Sequence, residues 1–356
     1  MSDEQLKQHR DAIDSIDAQI LELINARAEH ARRIGEIKGG GVMYRPEREA
    51  QVLRRIKALN RGPLPDELAA RLFREIMSAC LSLERPLQVA FLGPLGTFTE
   101  SAAVKHFGHA ALLSPCRSID EVFRATEAGQ SDFAVVPVEN STEGAVGRTL
   151  DLMMQTPLKV CGEVVLRIHQ HLLRKTPSLD GVQRVYSHSQ SLGQCHEWLN
   201  ANLPQVERIP CTSNAEAARL ASLDETSAAI AGESAAERYE LAKVATNIED
   251  EPNNTTRFLV LGQQDSPPSG KDKTSLLMTA KNQAGAMHDL LAPLAKNGVS
   301  MSKFESRPAK GGSWEYVFFV DIDGHHDIEP VKSALKDLRE HAVMLRVLGS
   351  YPAAVL

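Results

Sequence analysis

Apolar residues recur at steps of three and four through the N-terminal part of the chain, which predicts one long amphipathic helix over residues 4–38. No proline interrupts this pattern, and a run of glycines from Gly39 ends it. Two shorter helices are predicted over about 46–60 and 65–84. The apolar positions of the long helix are Leu6, Ile13, Ile16, Ile20, Leu23, Ile24, Ile34 and Ile37. The third helix is expected to turn Leu68, Leu72, Phe73, Ile76 and Leu83 inward.

The length of the first predicted helix has a consequence for assembly. About 35 residues at 1.5 Å each make a rod of about 52 Å, which two shorter helices cannot cover. We therefore expect a homodimer or a higher homo-oligomer, in which two long helices share one core.

From Leu87 onward the pattern changes to short apolar strands that end in polar turns, as in α/β domains. Such strands are predicted at 87–92, 133–138, 160–168, 184–186, 228–231 and 259–262. The first is followed by a glycine turn and by Thr97-x-x-Glu100, a capping box that begins a helix. Because a helix N-terminus after a glycine turn attracts anions, we expect a carboxylate or another anion to bind there.

The polar stretch Asn253–Phe258 leads directly into the last of these strands. Taken alone, such a hexapeptide is more commonly a hairpin or a loop entry with Asx turns. In an extended segment, however, Thr255 and Thr256 would face opposite ways. No Gly-x-Ser-x-Gly elbow or Ser–His–Asp set accompanies it. The strand ends carry mainly hydroxyls and amides, which favours binding of an oxyanion-rich small molecule between two lobes and delivery of one proton.

The C-terminal part begins with a linker rich in serine, proline and glycine, residues 263–273. Strands and helices then follow in the order βαββαβ over residues 274–349, which predicts a ferredoxin-like α+β unit. Its first helix opens at Gly285, where backbone N–H groups can approach a carboxylate.

Composition and charge narrow the possible functions of the 356-residue chain. The formal net charge is −6 and no basic run is present, which argues against a nucleic-acid partner. No signal peptide and no apolar span of about 18 residues is evident, so we expect no membrane partner and a cytoplasmic protein. The cysteines are scattered without a Cys-x-x-Cys pair, which fits a reducing compartment. His169 and His171 could share a metal, but a structural role outweighs that reading, and neither metal nor cofactor is expected.

Polar residues on the predicted helices point to a ligand. Arg27 and Lys38 lie about three turns apart on nearly one face, whereas Arg10 lies about 25 Å from Arg27 along the axis. Arg10 can join them only from an antiparallel partner chain. For any one of these residues, a solvated helix surface is the more common explanation.

The helical unit resembles the all-α, intertwined chorismate mutases of bacterial type. The matching positions are Arg10, Arg27, Lys38, Arg48, Glu49 and Glu84, and Cys80 shares a face with Glu84. The resemblance implies rearrangement of chorismate to prephenate without a covalent intermediate. Arg27, Arg48 and the partner chain's Arg10 would hold the carboxylates, and Lys38 and Glu84 would stabilise the ether oxygen. Glu49 would accept from the ring hydroxyl.

This unit departs from the family at two of its positions. Some members have glutamine where this chain has Glu84, and a carboxyl donates a hydrogen bond only when protonated. Arg45 stands where some relatives have an aspartate, so one hydroxyl contact differs.

Residues 87–262 resemble prephenate dehydratases through four ordered motifs. These are Gly-Pro-x-Gly-Thr-Phe-Thr at 93–99, Val-Pro-Val-Glu-Asn-Ser at 136–141, Tyr-Ser-His-x-Gln at 186–190 with Gln194-Cys195, and Asn-x-Thr-Arg-Phe at 254–258. The resemblance implies two α/β lobes like a type-2 periplasmic binding protein, with the site in the cleft. Thr256 would protonate the departing hydroxyl, and Arg257 would stabilise the alkoxide. Substrate would bind to Thr97, Asn140, Ser187 and Gln194.

The C-terminal unit resembles an ACT domain, the amino-acid-sensing module. The resemblance assigns phenylalanine binding to Gly285, Ala286, Met287, Asn297, Glu305, Ser306 and Arg307. Met287 replaces a leucine common in the family motif.

Together the three units resemble the bifunctional chorismate mutase–prephenate dehydratases. The expected domains are an all-α mutase unit at 1–86, a two-lobed dehydratase unit at 87–263 and an ACT unit at 274–352. Chorismate and prephenate would be the substrates, and phenylalanine the feedback inhibitor. Two alternatives remain at this point: a non-catalytic, ligand-responsive regulator, and a dehydratase whose helical unit is a dimerisation cap without mutase activity.

Overall fold

The computed structural model describes residues 3–39, 44–280, 283–309 and 316–356. Its helices are α1 Asp3–Lys38, α2 Pro46–Leu59, α3 Asp66–Ser82, α4 Phe98–Phe107, α5 Ile119–Glu127, α6 Gly147–Met153, α7 Ser189–Gln194, α8 His196–Asn202, α9 Asn214–Leu223, α10 Glu233–Arg238, α11 Ala286–Lys296 and α12 Val331–His341. Its strands are β1 Gln88–Leu92, β2 Leu112–Cys116, β3 Phe133–Asn140, β4 Gly144–Ala145, β5 Lys159–Arg167, β6 His171–Arg174, β7 Arg184–His188, β8 Glu207–Cys211, β9 Ser227–Ala231, β10 Ala242–Ala245, β11 Thr255–Gly262, β12 Asp272–Thr279, β13 Met301–Pro308, β14 Tyr316–Asp323 and β15 Met344–Pro352.

The three predicted N-terminal helices are present with bounds close to those expected. Helix α1 is a continuous rod without a single buried residue. It packs against α3. The half-buried residues of α1 all lie in its C-terminal half: Ile24, Arg27, Ala28, Glu29, Ala31 and Gly35. Most of its apolar stripe therefore faces solvent in one chain.

The prediction for the inward face of α3 is wrong in the single chain for three of its five residues. Leu68, Leu72 and Leu83 are exposed. The buried residues are Ala70, Arg74, Ser78 and Cys80. The reason is that α3 docks onto the end of α4, where the Arg74 guanidinium donates to the backbone carbonyls of Lys105 and His106. Leu68, Leu72 and Leu83 thus stay uncovered, whereas Phe73 and Ile76 are half-buried.

Residues 88–262 fold into two α/β lobes. Lobe 1 holds a sheet in the order β2-β1-β3-β11-β5, with β4 paired to β3, and lobe 2 holds the order β10-β6-β9-β7-β8. The chain leaves lobe 1 after β5 and returns at β11, so two segments, 168–170 and 246–254, connect the lobes. The polar stretch at 253–258 is one end of the second connection, and the strand begins at Thr255 rather than Leu259.

The C-terminal unit has the predicted βαββαβ order, with the antiparallel sheet β13-β14-β12-β15. Its helices cover one face, around Leu290 and Leu335. The other face packs on the lobe 1 sheet, where Phe319 and Tyr351 share a core with Val136. Gly349 has φ 155°, and an added Cβ would lie 2.1 Å from the Val160 carbonyl oxygen, so the two sheets approach each other closely there.

The expected linker is an ordered connection. Ser266 and Ser269 are buried. The Asp272 carboxylate accepts hydrogen bonds from the backbone and hydroxyl of Ser269, and Arg54 of α2 donates to Ser269 and to the Lys271 carbonyl. Among the described helices, none combines the length and apolarity needed to cross a membrane.

Candidate functional site

A cleft of about 790 Å³ lies between the two lobes. Four of the predicted site residues line it: Thr97, Asn140, Gln194 and Thr256. They come from the ends of β1, β3, α7 and the start of β11, which is the edge where α/β folds bind ligands. Thr255 does not contribute to the lining, as the alternation of an extended strand requires.

Asn140 and Thr256 form the most specific polar contact in the cleft. They are directly opposite on antiparallel strands, and Asn140 Nδ2 donates to Thr256 Oγ1 at 2.8 Å. The amide orientation is determined by its other partners, because Asn140 Oδ1 accepts from Thr142 Oγ1 at 2.6 Å and from two backbone N–H groups. Since Thr256 Oγ1 accepts here, its own proton is free to be donated into the cleft.

Gln194 connects the lobes beside this pair. Its Oε1 accepts from Asn254 Nδ2 at 3.1 Å, and its Nε2 donates to Thr142 Oγ1 at 3.3 Å. Asn254 Oδ1 in turn accepts from Asn140 Nδ2 at 2.9 Å. Opening of the lobes would break the bonds of Gln194, so this side chain couples cleft geometry to the Asn140–Thr256 pair.

Thr97 caps α4 as predicted. Its hydroxyl accepts from the Glu100 backbone N–H, while the Glu100 carboxylate accepts from the Gly96 backbone N–H. The capping box thus points the N-terminus of a ten-residue helix toward the cleft. Thr97 shapes the anion-attracting end of α4, and its own hydroxyl also donates to the Leu92 carbonyl at 3.2 Å.

Two predicted substrate ligands are placed elsewhere. Ser187 is fully buried behind the cleft, and its hydroxyl contacts Asn214 Oδ1 at 3.0 Å and the Ile230 carbonyl at 2.8 Å. Ser187 therefore orients Asn214, which does line the cleft. The side chain of Arg257 lies on the face of β11 that points away from the cleft. The reason is that the strand begins earlier than predicted and neighbouring side chains alternate. Arg257 cannot stabilise an alkoxide at Thr256.

Arg257 instead joins a buried polar network under the cleft. Its Nε lies 2.8 Å from Glu163 Oε2, one Nη donates to Asp321, and the other donates to the Tyr351 hydroxyl at 2.9 Å. Burial, reinforced by the Asp321 carboxylate, raises the pKa of Tyr351. The phenol therefore stays protonated, and the network binds β11 to the C-terminal unit.

The cleft also holds two arginines that the motifs did not indicate. Arg117 follows β2 in lobe 1, and Arg238 lies at the end of α10 in lobe 2. Within the described residues neither guanidinium has an ion-pair partner, in contrast to Arg148, Arg184, Arg219 and Arg257 of the same unit. Guanidinium groups from opposite lobes suit a ligand with two carboxylates. The sequence did not predict these two site residues because neither arginine belongs to a local motif.

The predicted mutase residues do not converge in one chain. Helix α1 is straight enough to keep Arg10 about 25 Å from Arg27 along its axis. Within the described residues, no hydrogen bond or ion pair involves the side chains of Arg10, Arg27, Lys38 or Arg48. Arg10, Lys38 and Arg48 are exposed, and Arg27 is partly covered by α3. The positions are compatible with a site that a second chain completes.

Glu49 faces the dehydratase unit rather than open solvent. Arg74 Nε lies 2.8 Å from Glu49 Oε1, in charge contact without linear hydrogen-bond geometry. Burial raises the pKa of Glu49, and Arg74 opposes that rise. An acceptor role toward a ring hydroxyl would require Glu49 to leave this ion pair.

Glu84 and Cys80 lie at the end of α3 as expected, although Glu84 falls in the turn beyond the helix. The Glu84 side chain rests against Gly35 of α1, where a Cβ would be 2.6 Å away. Its Oε2 atom is buried, with no hydrogen-bond partner among the described residues. Cys80 is buried as a free thiol. An unpartnered carboxyl oxygen one turn from Lys38 fits a ligand contact.

The predicted phenylalanine residues fall on two elements of the C-terminal unit. Gly285 has φ 80° and precedes α11, where Ala286 and Met287 form the first turn, and Asn297 caps the other end. Glu305, Ser306 and Arg307 lie on β13. Arg307 is already engaged, because its Nε and Nη2 lie 3.1 and 2.9 Å from Asp151 of α6. The carboxylate of a ligand would have to compete with Asp151.

One group of described residues has metal-ligand spacing: His325, His326 and Asp327. The ring nitrogens are already used, since His325 Nε2 contacts the Ser266 carbonyl at 2.8 Å and its Nδ1 accepts from the Asp327 backbone. His169 and His171 stack with ring centroids 6.5 Å apart, and His169 contacts Glu249 at 2.9 Å. These contacts give His325 and His169 structural hydrogen-bonding partners.

Three protein families match successive parts of the chain. Residues 9–85 match chorismate mutase type II, residues 89–266 match prephenate dehydratase, and residues 274–340 match the ACT domain. The dehydratase match ends at Ser266, within the connection before β12, and the ACT match begins at Thr274 in β12.

Relatives named bifunctional chorismate mutase/prephenate dehydratase match over the whole length. The protein from Neisseria gonorrhoeae is 60% identical and that from Pseudomonas aeruginosa is 52% identical, each with 99% of both chains covered. The crystal structure of prephenate dehydratase from Arthrobacter aurescens in complex with L-Phe is 33% identical with a TM-score of 0.68, covering 74% of this chain and 89% of that one. The chain belongs to the family of bifunctional chorismate mutase/prephenate dehydratases.

Proposed function

We propose that the chain catalyses two consecutive reactions toward phenylalanine and is inhibited by phenylalanine through its C-terminal unit. The helical unit rearranges chorismate to prephenate, and the cleft converts prephenate to phenylpyruvate. Family membership supports this assignment, and the observation that carries the second reaction is the Asn140–Thr256 contact in the cleft.

The dehydration needs one proton and a place for two carboxylates. Thr256 Oγ1 gives its proton to the ring hydroxyl, which leaves as water. The electron pair of the bond to the ring carboxylate moves into the ring as carbon dioxide departs, and aromatisation drives the step. Asn140 Nδ2 stays hydrogen-bonded to Thr256 Oγ1 and stabilises the negative charge that develops there.

Charge and position select the substrate in this cleft. Prephenate carries two carboxylates, and Arg117 and Arg238 offer one cation from each lobe. Binding of both carboxylates would draw the lobes together and exclude water from the reacting ring. Gln194 contacts both Asn254 and Thr142. Closure of the lobes would therefore affect the position of Thr256 through this side chain.

We propose further that the helical units of two chains pair to complete the mutase site. The exposed apolar stripe of α1 supports this, since soluble monomers rarely leave such a surface uncovered. In the dimer Arg10 of the second chain would meet Arg27 and Lys38. We place the enzyme in the cytoplasm, where its free cysteines remain reduced.

Feeding chorismate to the full chain and measuring chorismate, prephenate and phenylpyruvate by chromatography tests the proposal. The wild-type protein should produce phenylpyruvate, and Thr256→Val should accumulate prephenate. Arg27→Met should leave chorismate unconverted but still consume added prephenate. Turnover of prephenate without any loss of chorismate would identify the helical unit as a dimerisation cap, which the Glu49–Arg74 ion pair favours. A wild-type protein inert toward both substrates would refute the assignment and favour a non-catalytic regulator.

A further inference from the structure

Two neighbouring cross-strand pairs on β3 and β11 face opposite sides of the lobe 1 sheet. Asn140 is paired with Thr256, and Glu139 is paired with Arg257. The first pair reaches the cleft, whereas the side chains of the second pair extend to the C-terminal unit. Thr256, the proposed acid, is therefore the chain neighbour of Arg257, and its hydrogen-bond donor Asn140 is the chain neighbour of Glu139. Both neighbours are in contact with the C-terminal unit.

Both residues of the second pair form ion pairs across the domain boundary. Lys303 Nζ of β13 lies 2.7 Å from Glu139 Oε2. Arg257 pairs with Asp321 of β14 and donates to the Tyr351 hydroxyl of β15. Three strands of the C-terminal sheet thus contact the backbone segments that carry Asn140 and Thr256.

The Arg257–Asp321 contact is shielded from solvent on both sides, and the Lys303–Glu139 contact is shielded on the side of Lys303. The side chains of Lys303 and Asp321 are each 9% exposed, and that of Arg257 is 14% exposed. Ion pairs on open surfaces contribute little to stability because water screens them. Enclosed pairs keep their strength and their geometry, and loss of one partner leaves a buried charge uncompensated. Their positions are therefore well determined relative to β3 and β11.

Strand β13 links this boundary to the predicted effector motif. Lys303, Glu305 and Arg307 alternate along the strand and are its partly buried positions, so they face lobe 1 together. Arg307 contacts Asp151 of α6, and Lys303 contacts Glu139. A ligand that shifts the segment around Glu305 must disturb both contacts or strain the strand between them.

We propose that Glu139 and Arg257 are positioning residues for dehydration, through which the C-terminal unit controls the Asn140–Thr256 pair. The contacts Lys303–Glu139 and Arg257–Asp321 hold the two strand ends in the register that places Thr256 against the substrate. Phenylalanine reduces turnover by weakening these contacts, and thereby the placement of Thr256. This inference rests on the proposed function of the cleft and of the C-terminal unit.

The energetic requirement is a difference in contacts between two states. An effector changes activity only if it binds one arrangement better than the other. Ion pairs between two stacked sheets can supply that difference, because small shifts of one sheet exchange or break them while the shared core stays intact. The Lys303–Glu139 contact is the more exposed end of the network, since 40% of the Glu139 side chain is accessible.

Lys303→Met in the full chain tests the proposal, with Lys303→Arg as the conservative variant. Lys296→Met is the matched control, because Lys296 pairs with Asp337 inside the C-terminal unit. We expect Lys303→Met to lower dehydratase kcat with little change in KM, and to reduce inhibition at saturating phenylalanine at least about fivefold. Lys303→Arg should restore both, and calorimetry should show that phenylalanine still binds to Lys303→Met.

The outcomes separate this inference from the function on which it rests. A wild-type protein that neither dehydrates prephenate nor responds to phenylalanine would refute the proposed function itself. A normal wild type with full inhibition of Lys303→Met would refute only the coupling. Equal effects of Lys303→Met and Lys296→Met, or a loss of inhibition explained by lost phenylalanine binding, would also overturn it.

A double-mutant cycle gives a second readout that general destabilisation cannot imitate. Glu139→Gln and Lys303→Met should reduce inhibition by similar factors, and the double variant should be no worse than either single variant. Multiplicative effects would show that the two residues act independently, which would overturn the proposed contact.

Discussion

Asn140 Nδ2 lies 2.8 Å from Thr256 Oγ1, on strands that place the two residues directly opposite each other. Because the hydroxyl oxygen accepts this bond, its proton points elsewhere, and the cleft is the open direction. Thr255, the preceding residue, uses its backbone N–H and carbonyl toward Ser141 and lies outside the cleft lining.

Thr256→Val should therefore abolish most dehydration while chorismate turnover persists. General acids contribute about 10²–10⁴-fold, and we expect a kcat loss in that range with prephenate as substrate. Valine keeps the shape and β-propensity of threonine, so the strand should remain intact. Thr255→Val is the control and should retain activity within about threefold. Equal losses in both variants would indicate a structural role for the whole segment.

Arg117 and Arg238 should determine substrate affinity. Removal of one charged hydrogen-bonding partner costs about 1.5–3 kcal/mol, so Arg117→Met and Arg238→Met should each raise the KM for prephenate about 10- to 100-fold. Arg219, which forms a surface pair with Glu216, provides the control Arg219→Met, with an unchanged KM expected. An unaltered KM in both cleft variants would show that the carboxylates bind elsewhere.

The sequence predicted the long helix, most of the central strands and the cleft position of Thr256, because each is a local pattern. It did not predict the central strand β6. The edge strands β2, β8 and β10 were not predicted. Pro115 and Pro210 interrupt the apolar pattern of β2 and β8, and proline is tolerated there because an edge strand leaves N–H groups unpaired. Edge position is a property of the sheet and not of the segment.

The role of Arg257 could not be predicted for a similar reason. Its partners Glu163, Asp321 and Tyr351 are up to 94 residues away in sequence. Strand pairing with β5 brings Glu163 to Arg257, and the stacking of two sheets brings Asp321 and Tyr351 there. The prediction also started the strand four residues late, at Leu259 instead of Thr255. Arg117 and Arg238 carry no local signal and become meaningful only when two lobes face each other.

The apolar stripe of α1 should form the subunit interface. Ile20 is 47% exposed and lies on that stripe, so Ile20→Glu should place charges in the dimer core and dissociate it. Chorismate turnover should fall by more than about tenfold because Arg10 of the second chain is lost, while added prephenate should still be consumed.

Ala18→Glu is the matched control for this variant. Ala18 is also exposed on α1 but lies about half a turn away from Ile20, on the opposite face. The Ala18→Glu variant should remain a dimer in analytical ultracentrifugation and keep mutase activity. A monomeric wild-type protein with full mutase activity would contradict the interface and the shared site together.

His106 should make the boundary between the helical and dehydratase units sensitive to acid. Burial, with the nearby Arg74 cation, lowers the pKa of His106 to about 3, while Tyr44 contacts its Nε2 at 3.0 Å. An unfolded histidine takes up a proton near pH 6.5, so stability present above that pH is lost as pH falls toward about 3. The loss should reach about 2–4 kcal/mol, because the ring keeps some exposure.

Thermal unfolding between about pH 7 and pH 4 measures this effect. His106→Asn should start from a lower melting temperature but decline less steeply with acid than the wild type. His109, whose side chain is 76% exposed, provides the control His109→Asn, which should keep the wild-type slope. Parallel curves for all three proteins would show that His106 does not cause the acid sensitivity.

Glu84 should make the mutase reaction slower as pH rises. Its side chain rests against Gly35, about one turn before Lys38, and its buried Oε2 lacks a partner among the described residues. If this oxygen donates to the ether oxygen of chorismate, it does so only while protonated. Mutase kcat/KM should therefore decrease as pH rises from about 5 to 8.

Glu84→Gln should flatten this profile, because an amide donates at every pH. It should match or exceed wild-type activity at the alkaline end, since the donor is then present in every molecule. Glu36→Gln, on the exposed face of α1 where Glu36 pairs with Arg32, should keep the wild-type pH profile. A wild-type rate that is already constant across this range would remove Glu84 from the reaction and assign the ether oxygen to Lys38 alone.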